Sequence, residues 1–187
     1  MEDKIKTDDS RATMGFMSGD YAVVTFHRPV NVDSKPALTK VVEMVKDIAR
    51  RMPLVFPVHP RTAKMLAETG LLERLKDNAS VHISEPLPYI KFMNLVRGAR
   101  VVVTDSGGVQ EETTYLGIPC MTLRATTERP ITITQGTNIL CKIEGFADQL
   151  ASVLNAPMPK RPVIKGWDGK AAQRTLEIIS QSVTSNP

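Results

Sequence analysis

The sequence has 187 residues, 42% hydrophobic and 24% charged, which fits one compact globular domain with a full core and excludes a disordered or low-complexity chain. A formal charge of +4 leaves a small basic excess, but lysines and arginines alternate with acids, which suits a few cations serving a phosphate better than a nucleic-acid surface. No apolar stretch reaches the roughly 20 residues of a bilayer span, Met1 to Arg11 lacks a signal-peptide core, and Cys120 and Cys141 lack CxxC or metal-ligand spacing. The expectation is a cytoplasmic protein with no membrane partner, no nucleic-acid partner, no metal site and two thiols in its core.

Residues 1–19 are polar, without periodicity, and read as a flexible lead-in to a domain over 20–187. Tyr21 to Phe26 is a β-branched and aromatic strand, stopped by the proline of His27-Arg28-Pro29. Asp33 or Ser34 caps the next helix, whose Leu38, Val41, Val42, Val45 and Ile48 recur at helical spacing. The alternation continues with Leu54 to Val58 as strand, Arg61 to Lys76 as one helix, Ser80 to Ile83 as strand and Tyr89 to Arg97 as helix. Arg100 to Thr104 is an unbroken β-branched run of the kind found in a parallel strand covered on both faces. Gly108 to Leu116 follows as helix with Gly117 as its cap, then Pro119 to Leu123 and Asn138 to Cys141 as strands, and Gly145 to Leu154 and Gly169 to Ser182 as helices. Six strands alternating with helices predict an α/β fold with a doubly wound parallel sheet.

In such a sheet, ligands bind at the carboxyl ends of the strands, where His27, His59, Ser106 and Arg124 fall. The turn Thr104-Asp-Ser-Gly-Gly108 joins a central-type strand to a helix, so free amides and the helix dipole face an anion while the glycines allow close approach. It is neither a Walker A loop nor GxGxxG, which removes support for ATP hydrolysis and dinucleotide binding. Ser106, Gly107 and Gly108 are therefore candidate phosphate contacts, with Arg124 reaching the same anion from the next strand. Glu112, a turn into the helix, could accept from a ribose diol, or simply favour the helix amino terminus. His27 could bind phosphate or move a proton. His59 occupies the matching end of the next strand. Phe92 could stack on a base or belong to the core.

Eight segments carry a resemblance: Phe26-His-Arg-Pro-Val-Asn31, Pro57-Val-His-Pro60, Glu85-Pro-Leu-Pro-Tyr89, Thr104-Asp-Ser-Gly-Gly-Val-Gln-Glu-Glu112, Leu116-Gly-Ile-Pro119, Thr126-Thr-Glu-Arg-Pro130, Gly136-Thr-Asn138 and Gly169-Lys-Ala171. In this order and spacing they resemble the non-hydrolysing UDP-N-acetylglucosamine 2-epimerases. The resemblance implies the Rossmann-like C-terminal domain of a two-domain GT-B fold, with the N-terminal domain removed or on a separate chain. It also implies UDP and UDP-GlcNAc as ligands, no cofactor, and a homo-oligomer as a further partner. The implied reaction eliminates UDP to give 2-acetamidoglucal and re-adds it on the other face to give UDP-ManNAc. By motif, His27 is the catalytic histidine near the diphosphate. Ser106, Gly107 and Gly108 hold phosphate, Glu112 the ribose, Phe92 the uracil side, and Arg129 the sugar-phosphate side. His59 is a candidate second-site contact. Many bacterial relatives carry His-Arg-Arg-Glu-Asn where this chain has His27-Arg28-Pro29-Val30-Asn31, which weakens the expectation of substrate-level regulation. Two rivals remain: a hydrolysing epimerase half, and a UDP-sugar-binding module without catalysis.

Overall fold

A computed structural model describes residues 1–184. Two short helices, α1 (Glu2–Thr7) and α2 (Ser10–Thr13), precede strand β1 (Ala22–Thr25). After it come α3 (Pro29–Val32), α4 (Lys35–Ala49), β2 (Leu54–Pro57), α5 (Pro60–Glu68), α6 (Leu71–Lys76), β3 (Val81–Ser84) and α7 (Tyr89–Gly98). The second half runs through β4 (Val101–Thr104), α8 (Gly107–Leu116), β5 (Cys120–Leu123), α9 (Ile131–Thr134), β6 (Asn138–Cys141), α10 (Phe146–Asn155) and α11 (Ala171–Thr184).

The six strands form one parallel sheet in the order β3-β2-β1-β4-β5-β6. This is the Rossmann-like, doubly wound arrangement that the alternating pattern predicts. Side chains of β4 alternate between its two faces: Val101 and Val103 join the core cluster beneath α4, α5, α6 and α10, while Val102 joins the cluster beneath α7 and α8. All three valines are wholly buried, so this strand needs apolar residues on both faces and shows no alternation in its sequence.

Two expectations are corrected. The single helix over Arg61–Lys76 is two, because Gly70 adopts φ +72° between α5 and α6 and redirects the chain. The flexible lead-in over 1–19 is also not what forms. Ile5 and Ser10 are buried, and α1 and α2 are fastened to α7 by Asn94, which donates to the carbonyls of Ile5 (2.9 Å) and Asp8 (2.7 Å) and accepts from the Arg11 amide (3.0 Å). A polar segment can dock this way because one buried amide satisfies three main-chain groups. Gly117 caps α8 at φ +76°, with the Ile118 amide donating to the Thr113 carbonyl. α11 keeps Leu176, Ile178 and Ile179 exposed. Among the described residues, no helix is long and apolar enough to cross a membrane.

Candidate nucleotide site

β1 and β4 lie side by side in the sheet, with Thr25 level with Thr104. From β1 the chain winds one way across the sheet, and from β4 the other, so their carboxyl ends border the crevice where open α/β sheets receive ligands. Two residues beyond this level stand His27 on one strand and Ser106 on the other. The structure thus brings together residues separated by about 80 positions in sequence.

Ser106 is the N-cap of α8, but its hydroxyl does not cap the helix; the Ser106 amide instead donates to Thr104 Oγ1 at 3.0 Å. The first amides of α8 have no intrahelical acceptor. Neither Gly107 nor Gly108 has positive φ, so the backbone conformation does not demand glycine. A β-carbon on Gly108 would meet nothing within 4 Å. At Gly108 the first turn of the helix is therefore clear, as close approach of a ligand requires.

Around this turn stand cations. Arg124, at the end of β5, pairs with Glu128 at 2.5 Å, yet its Nη1 is buried with no hydrogen-bond acceptor. The Glu128 carboxylate lies over Gly107, where an added methyl would meet Oε1 at 2.5 Å, and it also faces Arg28 at 3.9 Å. The Arg124 hydrogen bond holds the Glu128 carboxyl down at about 2, so an anion already sits among these groups. Arg129, one residue on, turns the other way and pairs with Glu111 at 3.2 Å.

Gln110 ties this loop to the turn. Its Nε2 donates to the Ser106 carbonyl (3.1 Å), and its Oε1 accepts from Thr127 Oγ1 (2.7 Å) and Asn138 Nδ2 (3.1 Å). Asn138 in turn accepts from Thr122 and donates to Thr132. Three of the sequence segments singled out above meet in this buried network.

Glu112 is half-buried and faces the Tyr89 hydroxyl. Burial, followed by its neighbour Glu111, raises its pKa against the lowering pull of Tyr89. It borders a cavity of about 380 Å³ between α7 and α8, lined also by Met1, by Ile5 of α1 and by Trp167. Phe92 does not line that cavity; it is half-buried against the α7–α8 core cluster. His59 caps α5, accepting from the Arg61 amide at 3.2 Å, and its ring centre lies 5.5 Å from that of His27.

Sequence reasoning passed over Asp105. Its side chain is fully buried at the end of β4 and receives the main-chain amides of His27 (3.1 Å) and Arg28 (3.0 Å) and the Asn31 amide group (2.9 Å). Its signal was an acid directly after a valine-rich strand, where a buried charge requires several donors. Tyr89 and Glu128 were likewise visible only as parts of longer segments.

The family model described as UDP-N-acetylglucosamine 2-epimerase matches residues 1–180. A UDP-N-acetylglucosamine 2-epimerase of Methanocaldococcus jannaschii is 38% identical over 168 residues, covering 86% of this chain and 44% of that protein. One from Methanococcus maripaludis is 43% identical over 122 residues, covering 64% of this chain and 33% of its own length. The crystal structure of the M. jannaschii UDP-GlcNAc 2-epimerase in complex with UDP-GlcNAc and UDP superposes with a TM-score of 0.83 at 37% identity, covering 96% of this chain and 50% of that one. The chain thus spans about half the length, or less, of the relatives it matches. With a match over nearly its whole length and the crevice described above, the chain belongs to the UDP-N-acetylglucosamine 2-epimerase family.

Proposed function

We propose that these residues form the UDP-holding side of a non-hydrolysing UDP-GlcNAc 2-epimerase, with the sugar-facing side of the cleft supplied by chain outside them. The observation that carries this reading is the start of α8: two glycines with ordinary φ, clear space at Gly108, and a buried Arg124 nitrogen lacking an acceptor beside them. A diphosphate satisfies all three at once. Its oxygens accept from the first amides of α8 and from the Ser106 hydroxyl, while Arg124 and Arg28 balance its charge. Glu112 accepts from the ribose hydroxyls, and the base lies toward Phe92. His27 stands on the diphosphate side and Arg129 nearer the sugar.

The reaction breaks the C1–oxygen bond and removes the C2 proton to give 2-acetamidoglucal and UDP, then adds both back with the proton on the opposite face. It is redox-neutral and calls for no hydride carrier. This half holds the leaving group, and His27 is placed to exchange a proton with it. The carboxylates that work at C2 belong to the other half, and the loss of such groups costs roughly 100- to 10,000-fold each. The 187 residues alone should therefore bind UDP weakly and turn over nothing. Calorimetric titration with UDP tests this, comparing wild type with Ser106→Ala and Glu112→Ala. Both variants should lose affinity, and no heat from the folded wild type at millimolar UDP would refute the proposal.

A further inference from the structure

The Asp105 carboxylate accepts from three donors and faces a fourth nitrogen at close range. Oδ1 receives the His27 amide, Oδ2 receives the Arg28 amide and Asn31 Nδ2, and the His27 ring nitrogen Nδ1 stands 3.1 Å from Oδ1. In addition, the Asp105 carbonyl accepts from Arg28 Nε at 2.9 Å, which pins the same loop from a second direction. Hydrogen bonds from two main-chain amides and from Asn31 hold this carboxylate against rotation. It also accepts only, so at 3.1 Å a hydrogen on the facing ring nitrogen is favoured over a second lone pair there.

We infer that Asp105 is the positioning residue of the site: it locks the neutral His27 ring as the Nδ1–H tautomer and leaves Nε2 as the nitrogen that gains or loses a proton. Nε2 has no protein partner among the described residues, and the ring is only partly covered. In either protonation state of the imidazole, Nδ1 keeps its hydrogen toward Asp105. A proton arriving at or leaving the ring does so through Nε2, on the side away from the buried carboxylate. The transfer is balanced without further groups: one proton passes between Nε2 and an oxygen of the bound ligand, and Asp105 exchanges none. The same division of labour between an orienting carboxylate and a working imidazole recurs in hydrolase triads on unrelated folds.

The inference also gives Asn31 a task. With Pro29 and Val30 in the loop, the histidine cannot rely on charged neighbours at those two positions. Asn31 is buried and donates to Asp105 at 2.9 Å, so the carboxylate is held from α3 as well as from the end of β1.

That Nε2 meets a diphosphate oxygen rests on the proposed nucleotide reading, whereas the tautomer does not. The test is a long-range nitrogen–proton correlation spectrum of the histidine rings in the 187-residue chain, first without ligand and then with UDP. The expected result without ligand is a protonated Nδ1 and an unprotonated Nε2 for His27. A ring protonated at Nε2, or one averaging between tautomers, overturns the inference. Asp105→Asn, which can turn a donor toward the ring, should move the hydrogen to Nε2; an unchanged His27 spectrum in a folded variant also overturns it. If that variant does not fold, the wild-type spectrum still decides. With UDP, the amides of Gly107 and Gly108 report binding and Nε2 reports contact. Binding without a shift at Nε2 refutes the role given to the ring. Unmoved glycine amides refute the nucleotide reading and leave the tautomer to be judged by its own spectrum.

Discussion

Gly108→Ala separates the needs of the fold from those of the ligand. In the structure Gly108 is exposed, sits in the first turn of α8 with an ordinary helical φ, and has nothing within 4 Å of where a β-carbon would stand. The added methyl therefore strains nothing, and alanine in place of glycine in a helix gains about 0.5–1 kcal/mol. For a chain of this size that raises Tm by about 1–4 °C. If a diphosphate lies against the amides of this turn, the same methyl holds it off. The interactions weakened are hydrogen bonds to a charged group, each contributing about 1.5–3 kcal/mol, so UDP affinity should fall by roughly 10- to 100-fold. Thermal unfolding by circular dichroism and calorimetric titration read the two effects on one sample. A folded variant that is slightly more stable and binds UDP as well as wild type would refute the reasoning, because the glycine would then serve neither backbone nor ligand. A large loss of Tm would refute it too, by revealing a steric role that the geometry denies.

Glu128→Gln should strengthen UDP binding several-fold by calorimetry, since it removes a carboxylate that stays ionised at neutral pH and competes for Arg124 and the mouth of α8; weaker binding would show that the acid assists the ligand. Glu112 gives a pH signature. Its folded pKa is raised above 4.5, chiefly by burial, so its contribution to stability is complete below about pH 4.5 and is lost as pH rises through the folded value. Glu112→Gln should accordingly gain more Tm over wild type at pH 7 than at pH 4, and an equal gap at both would contradict the assignment. Because a ribose diol donates to the ionised form, UDP-GlcNAc binding near the foot of that range should release a proton, detectable as buffer-dependent heat that Glu112→Gln abolishes. Burial pushes the Cys120 thiol up to about 11 and that of Cys141 to about 12, so neither should react with a disulfide reagent at pH 8 until the protein is denatured, when both should. Rapid native labelling would place at least one of them at the surface.

The sequence by itself determined the six strands, the longer helices and the turn. The central strands are short apolar runs buried on both faces, and the longer helices repeat their apolar residues every three or four positions, so their types follow from neighbours in the chain. The cap at Gly117 and the start of α8 were legible for the same reason. The Gly70 break was written in the same local chemistry but concealed by apolar residues that continue on both sides of it. What only the tertiary structure decided are pairings between distant segments. Asp105 meets His27 because β1 lies beside β4, a consequence of strand order that no local pattern encodes. The rings of His27 and His59 adjoin because β2 flanks β1 on its other side. Glu128, written next to Arg129, turns toward Arg124 and Gly107 while Arg129 turns toward Glu111, on opposite sides of the start of one loop. The polar segment at the start folds because Asn94, far along the chain, offers its main-chain groups partners that water would otherwise supply. Periodicity records which face of an element is apolar, but the position of a charge relative to a ligand depends on which strands become neighbours, and that is settled only when the sheet assembles.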